Sequence, residues 1–153
     1  MRAVVQRVSS AAVKIIEEDK EYISGEIGSG LLAFVGITDS DDDADMKYII
    51  DKLIGLRIFE DEQHKMNLSV KDINGSILLV SQFTLYGDAR KGKRPSFTDA
   101  SRPDHAVPLY DKMKNEIEKE GVDLQSGIFG ANMEVQIIND GPVTILLDSK
   151  KQF

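Results

Sequence analysis

The sequence predicts an α+β fold in one domain that spans residues 1–153, with a mostly antiparallel or mixed β-sheet and two main helices packed on it. Apolar or β-branched stretches bounded by Ser, Gly or Asp outnumber the helical patterns, which favours strands as the main element. Strands and helices do not alternate regularly, so a doubly wound parallel sheet is not expected. No tract of Pro, Gly or Ser is long enough to be an interdomain linker.

Strands are predicted where a run of large apolar or β-branched residues is bounded by turn-forming residues. Three such runs lie in the N-terminal part of the chain, at residues 2–8, 11–16 and 31–38. A longer run at residues 77–85 follows the turn signal Asn74-Gly75. Near the C-terminus, two strands at residues 133–137 and 143–147 are predicted to flank a turn at residues 139–142.

Two helices are predicted from residues spaced three and four apart. The first begins near Asp43, and its apolar face comprises Met46, Ile49, Ile50, Leu53 and Ile54. The second runs from Pro103, which is tolerated in a first helical turn, to about Glu120, with Gly121 as its terminator. The residues of this second helix that are spaced to cover a sheet are Val107, Tyr110, Met113 and Ile117.

Acidic residues crowd the start of the first helix, at positions 39, 41, 42, 43 and 45. A calcium loop beginning at Asp39 would need glycine at its sixth position and glutamate at its twelfth, where this chain has Ala44 and Ile50. The interpretation we prefer is stabilisation of the positive end of the helix dipole.

Composition restricts the chemistry. The chain has no cysteine, which excludes thiolate nucleophiles, disulfides and cysteine-ligated metals. It has no apolar run of membrane-spanning length and no secretory-signal pattern at its N-terminus, so a cytoplasmic location and no membrane partner are expected. The net charge of -7 argues against unspecific coating of nucleic acid. An RNA substrate would need a local basic patch, and one candidate is the loop with Arg90, Lys91, Lys93 and Arg94, whose alternative role is that of a solvated loop.

Familiar catalytic side-chain sets are missing from the sequence. The only histidines are His64, in a polar stretch, and His105, in the first turn of the second predicted helix. Neither has a partnered nucleophile in the sequence, and no Gly-x-Ser-x-Gly elbow, phosphate-binding glycine loop or dinucleotide fingerprint is present. No metal and no cofactor are expected.

Two segments are candidates for a site. Ser81, Gln82 and Thr84 place polar groups at the end of an apolar strand, either as caps of the strand end with Phe83 in the core, or as part of an oxyanion site. In the second case the backbone N–H groups of Phe83 and Thr84 would stabilise a developing negative charge. The other candidate, Gly141-Pro142, is by default a tight turn.

Six short sequence blocks favour a functional role for both segments, because the blocks occur together, in order, over nearly the whole chain. From end to end the sequence resembles the D-aminoacyl-tRNA deacylases, also called the D-tyrosyl-tRNA deacylase family. The blocks are MRAVVQRV at 1–8, KMNL at 65–68, SQFTL at 81–85, GKRPSF at 92–97, FGANM at 129–133 and NDGPVT at 139–144. Residues 148–153 are not covered by the resemblance.

The resemblance implies an esterase that acts on the 3′-terminal adenosine of tRNA carrying a D-amino acid, in chiral proofreading during translation quality control. It implies a sheet curving towards a barrel, and a homodimer with active sites at the subunit interface, where Gly141-Pro142 is cis and enters the pocket of the partner. Phe83 and Thr84 would receive the ester carbonyl, Gln82 or Phe83 would hold a base, and main-chain carbonyls including that of Gly141 would hold the ammonium. The further implied contacts are Pro142, Ser81 and Met133 with the aminoacyl group, and Lys91, Lys93 and Arg94 with tRNA.

Two alternatives remain at the level of the sequence. The chain could be a non-catalytic tRNA-binding module that uses the basic loop and Phe97, or a hydrolase of small D-amino acid esters whose basic loop is merely solvated. Core packing is an equally good interpretation of Met133. Glycyl-tRNA, including glycine mischarged on the alanine tRNA, is a further predicted substrate, because glycine has no side chain to be rejected.

Overall fold

The computed structural model describes residues 1–152 and is built around one mixed six-stranded sheet. The hydrogen-bonded order is β2-β1-β3-β6-β7, with β8 also paired to β1, while β4 and β5 form a separate hairpin. The elements in chain order are β1 (Arg2–Ile16), β2 (Glu21–Ile27), β3 (Gly30–Gly36), α1 (Asp43–Gly55), β4 (Phe59–Glu60), β5 (Met66–Leu68), β6 (Ser76–Ser81), a 3₁₀ helix (Phe83–Tyr86), α2 (Pro103–Lys119), β7 (Asp123–Ser126) and β8 (Met133–Asp148).

Strand β1 is the centre of the antiparallel part of the sheet, because three strands pair with it and all three are antiparallel to it. Its first half pairs with β3, its second half with β2, and β8 runs along both halves. The two strands predicted at residues 2–8 and 11–16 are therefore one strand. Ser10 keeps the strand continuous by pairing with Ile138, and the irregular register near Ser9 is a bulge instead of a chain reversal.

The other side of the sheet is parallel, since β3 pairs with β6 and β6 pairs with β7. Helices α1 and α2 provide the crossover connections that parallel neighbours require. The two ends of the sheet approach each other at Gly25 of β2, where a Cβ would lie 3.1 Å from the backbone N and O atoms of Ser126 on β7. The predicted α+β fold with a mixed sheet that curves towards a barrel is confirmed.

Two apolar clusters fill this architecture. One lies inside the curved sheet and includes the fully buried Val13, Ile15 and Leu78. The other lies between the sheet and the helices, and the predicted faces of both helices contribute to it, among them Ile49, Leu53, Tyr110, Met113 and Ile117. Each such side chain stabilises the fold by roughly 1.5–3 kcal/mol through burial.

The acidic start of α1 is accounted for by local hydrogen bonds. Asp42 is the N-cap and accepts from the backbone of Ala44 and Asp45, while the Asp45 carboxylate accepts from the Asp42 backbone. This reciprocal pair is a capping box, and it satisfies N–H groups that have no partner within the helix. Asp41 is buried beside the Met1 ammonium. Within residues 1–152, no three acidic or histidine side chains are grouped so as to hold a metal ion.

The C-terminal strand differs from the prediction of two strands flanking a turn. β8 runs as one strand from Met133 to Asp148, and it pairs with β1 on both sides of residues 140–143. Val8 pairs with Asn139 and Gln6 with Thr144, so Arg7 alone faces the segment from Asp140 to Val143. The residues interpreted as a turn therefore form a wide bulge that projects from an otherwise regular edge strand.

Candidate active site

The end of β6 positions the polar segment that the sequence singled out. β6 ends at Ser81. The prediction that this strand continues to residue 85 is therefore wrong. The Gln82 backbone N still donates to Val35 O on β3 (2.7 Å), after which Leu85 N donates to Gln82 O (3.3 Å) and closes a 3₁₀ turn. Gly36 allows this turn to approach β3 closely, since a Cβ there would lie 3.0 Å from Gln82 O. The strand prediction extended too far because the apolar residues Phe83 and Leu85 continue the apolar run of β6.

The 3₁₀ helix leaves two backbone donors open. Phe83 and Thr84 are its first residues, and an N–H at the start of a helix has no partner within that helix. Neither N–H finds an acceptor elsewhere in residues 1–152. The Phe83 side chain is 57% exposed. Two neighbouring N–H groups that have no acceptor within the described part of the protein are able to stabilise an oxyanion.

A cleft of about 320 Å³ opens beside this turn. It brings together four of the candidate residues, namely Ser81, Gln82, Phe83 and Met133. Thr84 does not line it with its side chain; the Thr84 hydroxyl instead accepts a hydrogen bond from the Gln82 amide. The polar strand end is therefore not a simple cap, because it faces a concave surface.

The far wall of the cleft comes from the loop before β8 and from α2. Phe129 lines the cleft and packs edge-on against Tyr110, at 5.9 Å between ring centroids. The Tyr110 hydroxyl donates to Leu79 O (2.9 Å), and burial raises the pKa of this phenol. Met133 is held against Gly127, where a Cβ would lie 2.6 Å from the Met133 sulfur.

Sequence reasoning missed Ser101 and Ala106, which also line the cleft. Both reach it only through the packing of α2 and the preceding loop on the sheet. No pattern at these positions in the sequence indicates this placement.

The second candidate segment does not reach this cleft within one chain. The Gly141-Pro142 peptide is cis, and both residues are exposed at the bulge of β8 opposite Arg7. Arg7 is buried and holds the bulge: its Nε donates to Asp140 O (3.3 Å) and its Nη1 to Ile58 O (2.7 Å). The Arg7 guanidinium also pairs with the Asp140 carboxylate at 3.2 Å. The bulge is therefore a fixed projection of the surface.

The surface around the bulge is unusually apolar for an edge strand. Ile138 is 62% exposed and Leu146 59% exposed, on either side of Pro142 along β8. Natural edge strands are normally protected by charges or by a covering element.

Comparisons with known proteins agree with this geometry. A family model described as D-Tyr-tRNA(Tyr) deacylase matches residues 4–148. The chain belongs to this family.

Similar proteins cover the whole chain. Proteins named D-aminoacyl-tRNA deacylase from Thermotoga petrophila and Halothermothrix orenii are 57% and 55% identical to it, over 100% of both chains. A solved structure described as c-Myc DNA Unwinding Element Binding Protein superposes with a TM-score of 0.87 at 38% identity, over 97% of this chain and 98% of that one. A probable eukaryotic D-amino acid tRNA deacylase gives 0.79 at 20% identity, which shows the fold alone.

Four of the six blocks that carry the deacylase resemblance lie on these two surfaces. SQFTL and FGANM contribute to the cleft. MRAVVQRV and NDGPVT meet where Arg7 holds the bulge, and KMNL forms β5 of the hairpin that follows Ile58.

The basic loop of this family member is exposed to solvent from residue 89 to residue 99. Its base is a two-hydrogen-bond bridge between Asp88 and Ser96 (2.8 and 2.9 Å). The side chain and the backbone N–H of Arg90 donate hydrogen bonds to the Asp88 carboxylate. These hydrogen bonds lower the pKa of Asp88 to about 2. Lys91, Lys93 and Arg94 of this loop are exposed, and none of the three forms an ion pair within residues 1–152.

The two histidines lie outside the cleft. His64 sits in the tip of the β4–β5 hairpin, beside Glu60 at 3.4 Å. His105 is in the first turn of α2, and its Nε2 lies 3.1 Å from Asp41 O. Neither α1 nor α2, the two α-helices among residues 1–152, has the length and apolar content that crossing a membrane requires.

Proposed function

We propose that this chain hydrolyses the ester that joins a D-amino acid to the terminal adenosine of tRNA, releasing the free D-amino acid and tRNA. The observation that carries the proposal is the pair of open N–H groups at Phe83 and Thr84, at the mouth of a cleft, in a member of the deacylase family. A cytoplasmic site of action follows from the tRNA substrate.

Water is the nucleophile in this proposal. The 2′-hydroxyl of the terminal adenosine assists by accepting a proton from the attacking water, and the ester carbonyl becomes an oxyanion that the two N–H groups stabilise. Collapse breaks the acyl–oxygen bond, and the departing ribose oxygen takes the proton. In this proposal the Gln82 side chain, whose amide donates to the Thr84 hydroxyl, holds the adenine base or the aminoacyl ester.

In this proposal, the backbone of the enzyme distinguishes the D- from the L-form of the aminoacyl group. If the ester carbonyl lies on Phe83 and Thr84 and the ammonium lies on a carbonyl such as that of Gly141, the side chains of the two enantiomers point in opposite directions. One direction opens to solvent and the other meets backbone, with Ser81, Met133 and Pro142 close to the aminoacyl group. L-amino acids are excluded because their side chains clash with backbone, whereas D side chains project into solvent and are not distinguished from one another.

The Gly141-Pro142 bulge supplies that backbone in trans. The bulge projects from the surface, is held rigidly by Arg7, lies away from the cleft of its own chain, and is flanked by exposed Ile138 and Leu146. A two-fold homodimer that buries this face satisfies both features, because each subunit then inserts its bulge into the cleft of its partner.

One assay tests the activity. Release of tyrosine is measured from D-tyrosyl-tRNA, from L-tyrosyl-tRNA and from a simple D-tyrosine ester. RNA-dependent and D-selective release is expected. Binding of tRNA without turnover would support a binding module instead, and turnover of the simple ester alone would support a small-ester hydrolase. Glycyl-tRNA is expected to be cleaved and L-alanyl-tRNA to be resistant; equal resistance of both would remove the steric filter.

Mixed dimers test the contribution in trans. Gly141→Ala displaces the bulge, because Gly141 has φ 122° and a Cβ would lie 2.7 Å from Val143 Cγ2. Phe83→Pro removes one N–H from the cleft. Each variant alone is expected to be inactive, whereas their co-refolded mixture regains about a quarter of wild-type activity, since half of the dimers carry one intact site. A mixture as inactive as its parts would show that each chain completes its own site.

A Thr84→Ala variant tests the identity of the nucleophile. Because the N–H of residue 84 remains and the hydroxyl only accepts from Gln82, substantial activity is expected. Complete loss of activity with intact folding would make the threonine hydroxyl the nucleophile. Single-turnover kinetics of D-tyrosyl-tRNA, with a search for a covalent intermediate, is the measurement.

A further inference from the structure

A pair of exposed aromatic rings lies between the cleft and the basic loop. Phe83 and Phe97 are 57% and 39% exposed, and their ring centroids are 5.3 Å apart at an interplanar angle of 72°. Phe83 borders the cleft, whereas Phe97 lies outside it. An edge-to-face pair leaves ring faces available to a third planar group.

The position of Phe97 is fixed by the backbone on both sides of it. The residue before it, Ser96, is bridged to Asp88, and Ala100 N donates to Phe97 O (3.1 Å). Gly87 lets the ring lie against the turn, since a Cβ there would be 2.9 Å from Phe97 Cε1. The ring therefore has little freedom to lose when a ligand binds.

The surroundings of the pair favour a nucleic acid over a protein partner. The exposed cations Lys91, Lys93 and Arg94 lie in the loop just before Phe97, in a chain whose net charge is -7. Aromatic rings next to phosphate-pairing cations are the combination that binds unpaired nucleotides.

We propose that Phe83 and Phe97 form a stacking platform for the unpaired nucleobase next to the terminal adenosine of the tRNA. This inference rests on the proposed function, which places the terminal adenosine at the cleft. The next base then meets Phe97, and the preceding phosphates meet the three free cations. The platform makes the enzyme selective for the single-stranded 3′ end of RNA. It does not distinguish one base from another, because every base has a π-face.

The test compares two substrates that differ only beyond the terminal adenosine: D-tyrosyl-tRNA and D-tyrosyl-adenosine. Phe97→Leu is expected to raise KM for the tRNA about tenfold, in line with the loss of one aromatic stack, and to leave kcat/KM for D-tyrosyl-adenosine unchanged. Phe97→Tyr keeps an aromatic face and is expected to behave as wild type. The matched control is Tyr22→Leu, which removes another exposed aromatic residue, on β2, whose ring also lies beside a cation, Lys20.

Three outcomes would overturn the platform. Equal losses on both substrates would mean that Phe97 only supports Phe83, and unchanged KM for tRNA would mean that no base stacks there. A loss that Phe97→Tyr does not restore would point to packing. If wild type cleaves neither substrate, the proposed function fails first, and direct binding of uncharged tRNA to wild type and Phe97→Leu still tests the platform.

Salt separates stacking from phosphate pairing. Lys93→Met is expected to reduce the slope of log KM against log salt concentration, since phosphate pairing releases counterions. Phe97→Leu is expected to shift KM at every salt concentration without changing that slope. A changed slope for Phe97→Leu would mean that the ring acts only by positioning the basic loop.

Discussion

The guanidinium of Arg2 donates from Nη1 to the backbone oxygen of Leu85 at 3.1 Å and lies 4.6 Å from the centre of the Tyr86 ring. The first residue of β1 thereby holds the last part of the 3₁₀ helix that carries the open N–H groups. Arg2 also pairs with the buried Asp148 at 3.1 Å, which ties this support to the end of β8.

Replacement of Arg2 tests this support. Arg2→Met should lower kcat for D-tyrosyl-tRNA by about tenfold or more with a smaller change in KM, because misplaced donors lose transition-state stabilisation. Lys150→Met is the control, since Lys150 holds the same C-terminal region through Asp45 without contacting the turn. Equal kinetic losses in both variants, or a loss confined to thermal stability, would show that Arg2 is only structural.

The oxyanion role proposed for the Phe83 N–H can be tested separately from the role of the Phe83 ring. Phe83→Leu and Phe83→Pro both remove the ring, but only proline also removes the N–H. Proline is compatible with this first helical position, and Gln82 before it has ψ 85°, outside the helical range that a following proline disfavours. The proline variant should have a kcat about 10²-fold below that of the leucine variant. Similar kcat values in two folded variants would refute an oxyanion contact at Phe83.

Gly127 controls the position of a cleft wall. An added methyl group would meet the Met133 sulfur at 2.6 Å and push this flexible side chain into the cleft. Gly127→Ala should lower kcat/KM for D-tyrosyl-tRNA by about fivefold or more, since overpacking costs on the order of 1–3 kcal/mol. Adding Met133→Ala should restore part of the loss. Additive effects of the two substitutions would mean that the residues act independently.

Acid stability should depend on Asp45. Burial opposes ionisation of this carboxylate, but hydrogen bonds from Lys150, Ser149 and the Asp42 backbone lower its pKa from 3.8 to about 2. A group whose pKa falls on folding stabilises the protein above its unfolded value, and that contribution is lost as the pH falls from about 4 to 2. The melting temperature of Asp45→Asn should therefore lie below that of wild type at pH 6 and approach it near pH 2.

The control for that series is Asp51→Asn, which removes an exposed carboxylate from the same helix. A constant gap between wild type and Asp45→Asn from pH 6 to pH 2 would assign the effect to the capping box and not to ionisation.

Local patterns in the sequence were sufficient for the helices. The apolar spacing from Met46 to Leu53 and the Pro103 start predicted α1 and α2 to within a residue or two, because helix signals come from neighbours three and four positions away. Strand ends were less predictable. Ser9-Ser10 and Asn139 to Pro142 carry turn-forming residues, yet β1 and β8 remain paired on both sides of each segment, and the unpaired residues form bulges.

The candidate site was predictable only in part for the same reason. The SQFTL and FGANM blocks indicated residues that do meet in one cleft. Arg2, Ser101 and Ala106 reach the turn or the cleft through long-range packing that no local pattern encodes. The Gly141-Pro142 bulge lies apart from the cleft of its own chain, so the role proposed for it requires a second molecule. Hydrophobic periodicity within one chain contains no information about a partner.

The open donors of the 3₁₀ helix belong to the peptide backbone and not to side chains. Every amino acid except proline carries the same N–H. If these groups stabilise the oxyanion as proposed, substitutions at positions 83 and 84 change the side-chain contacts around the reaction but keep the charge-stabilising groups. An enzyme built this way is vulnerable to changes in chain geometry, at Gly36 or Arg2, more than to changes in the chemistry of the residues nearest the reacting bond.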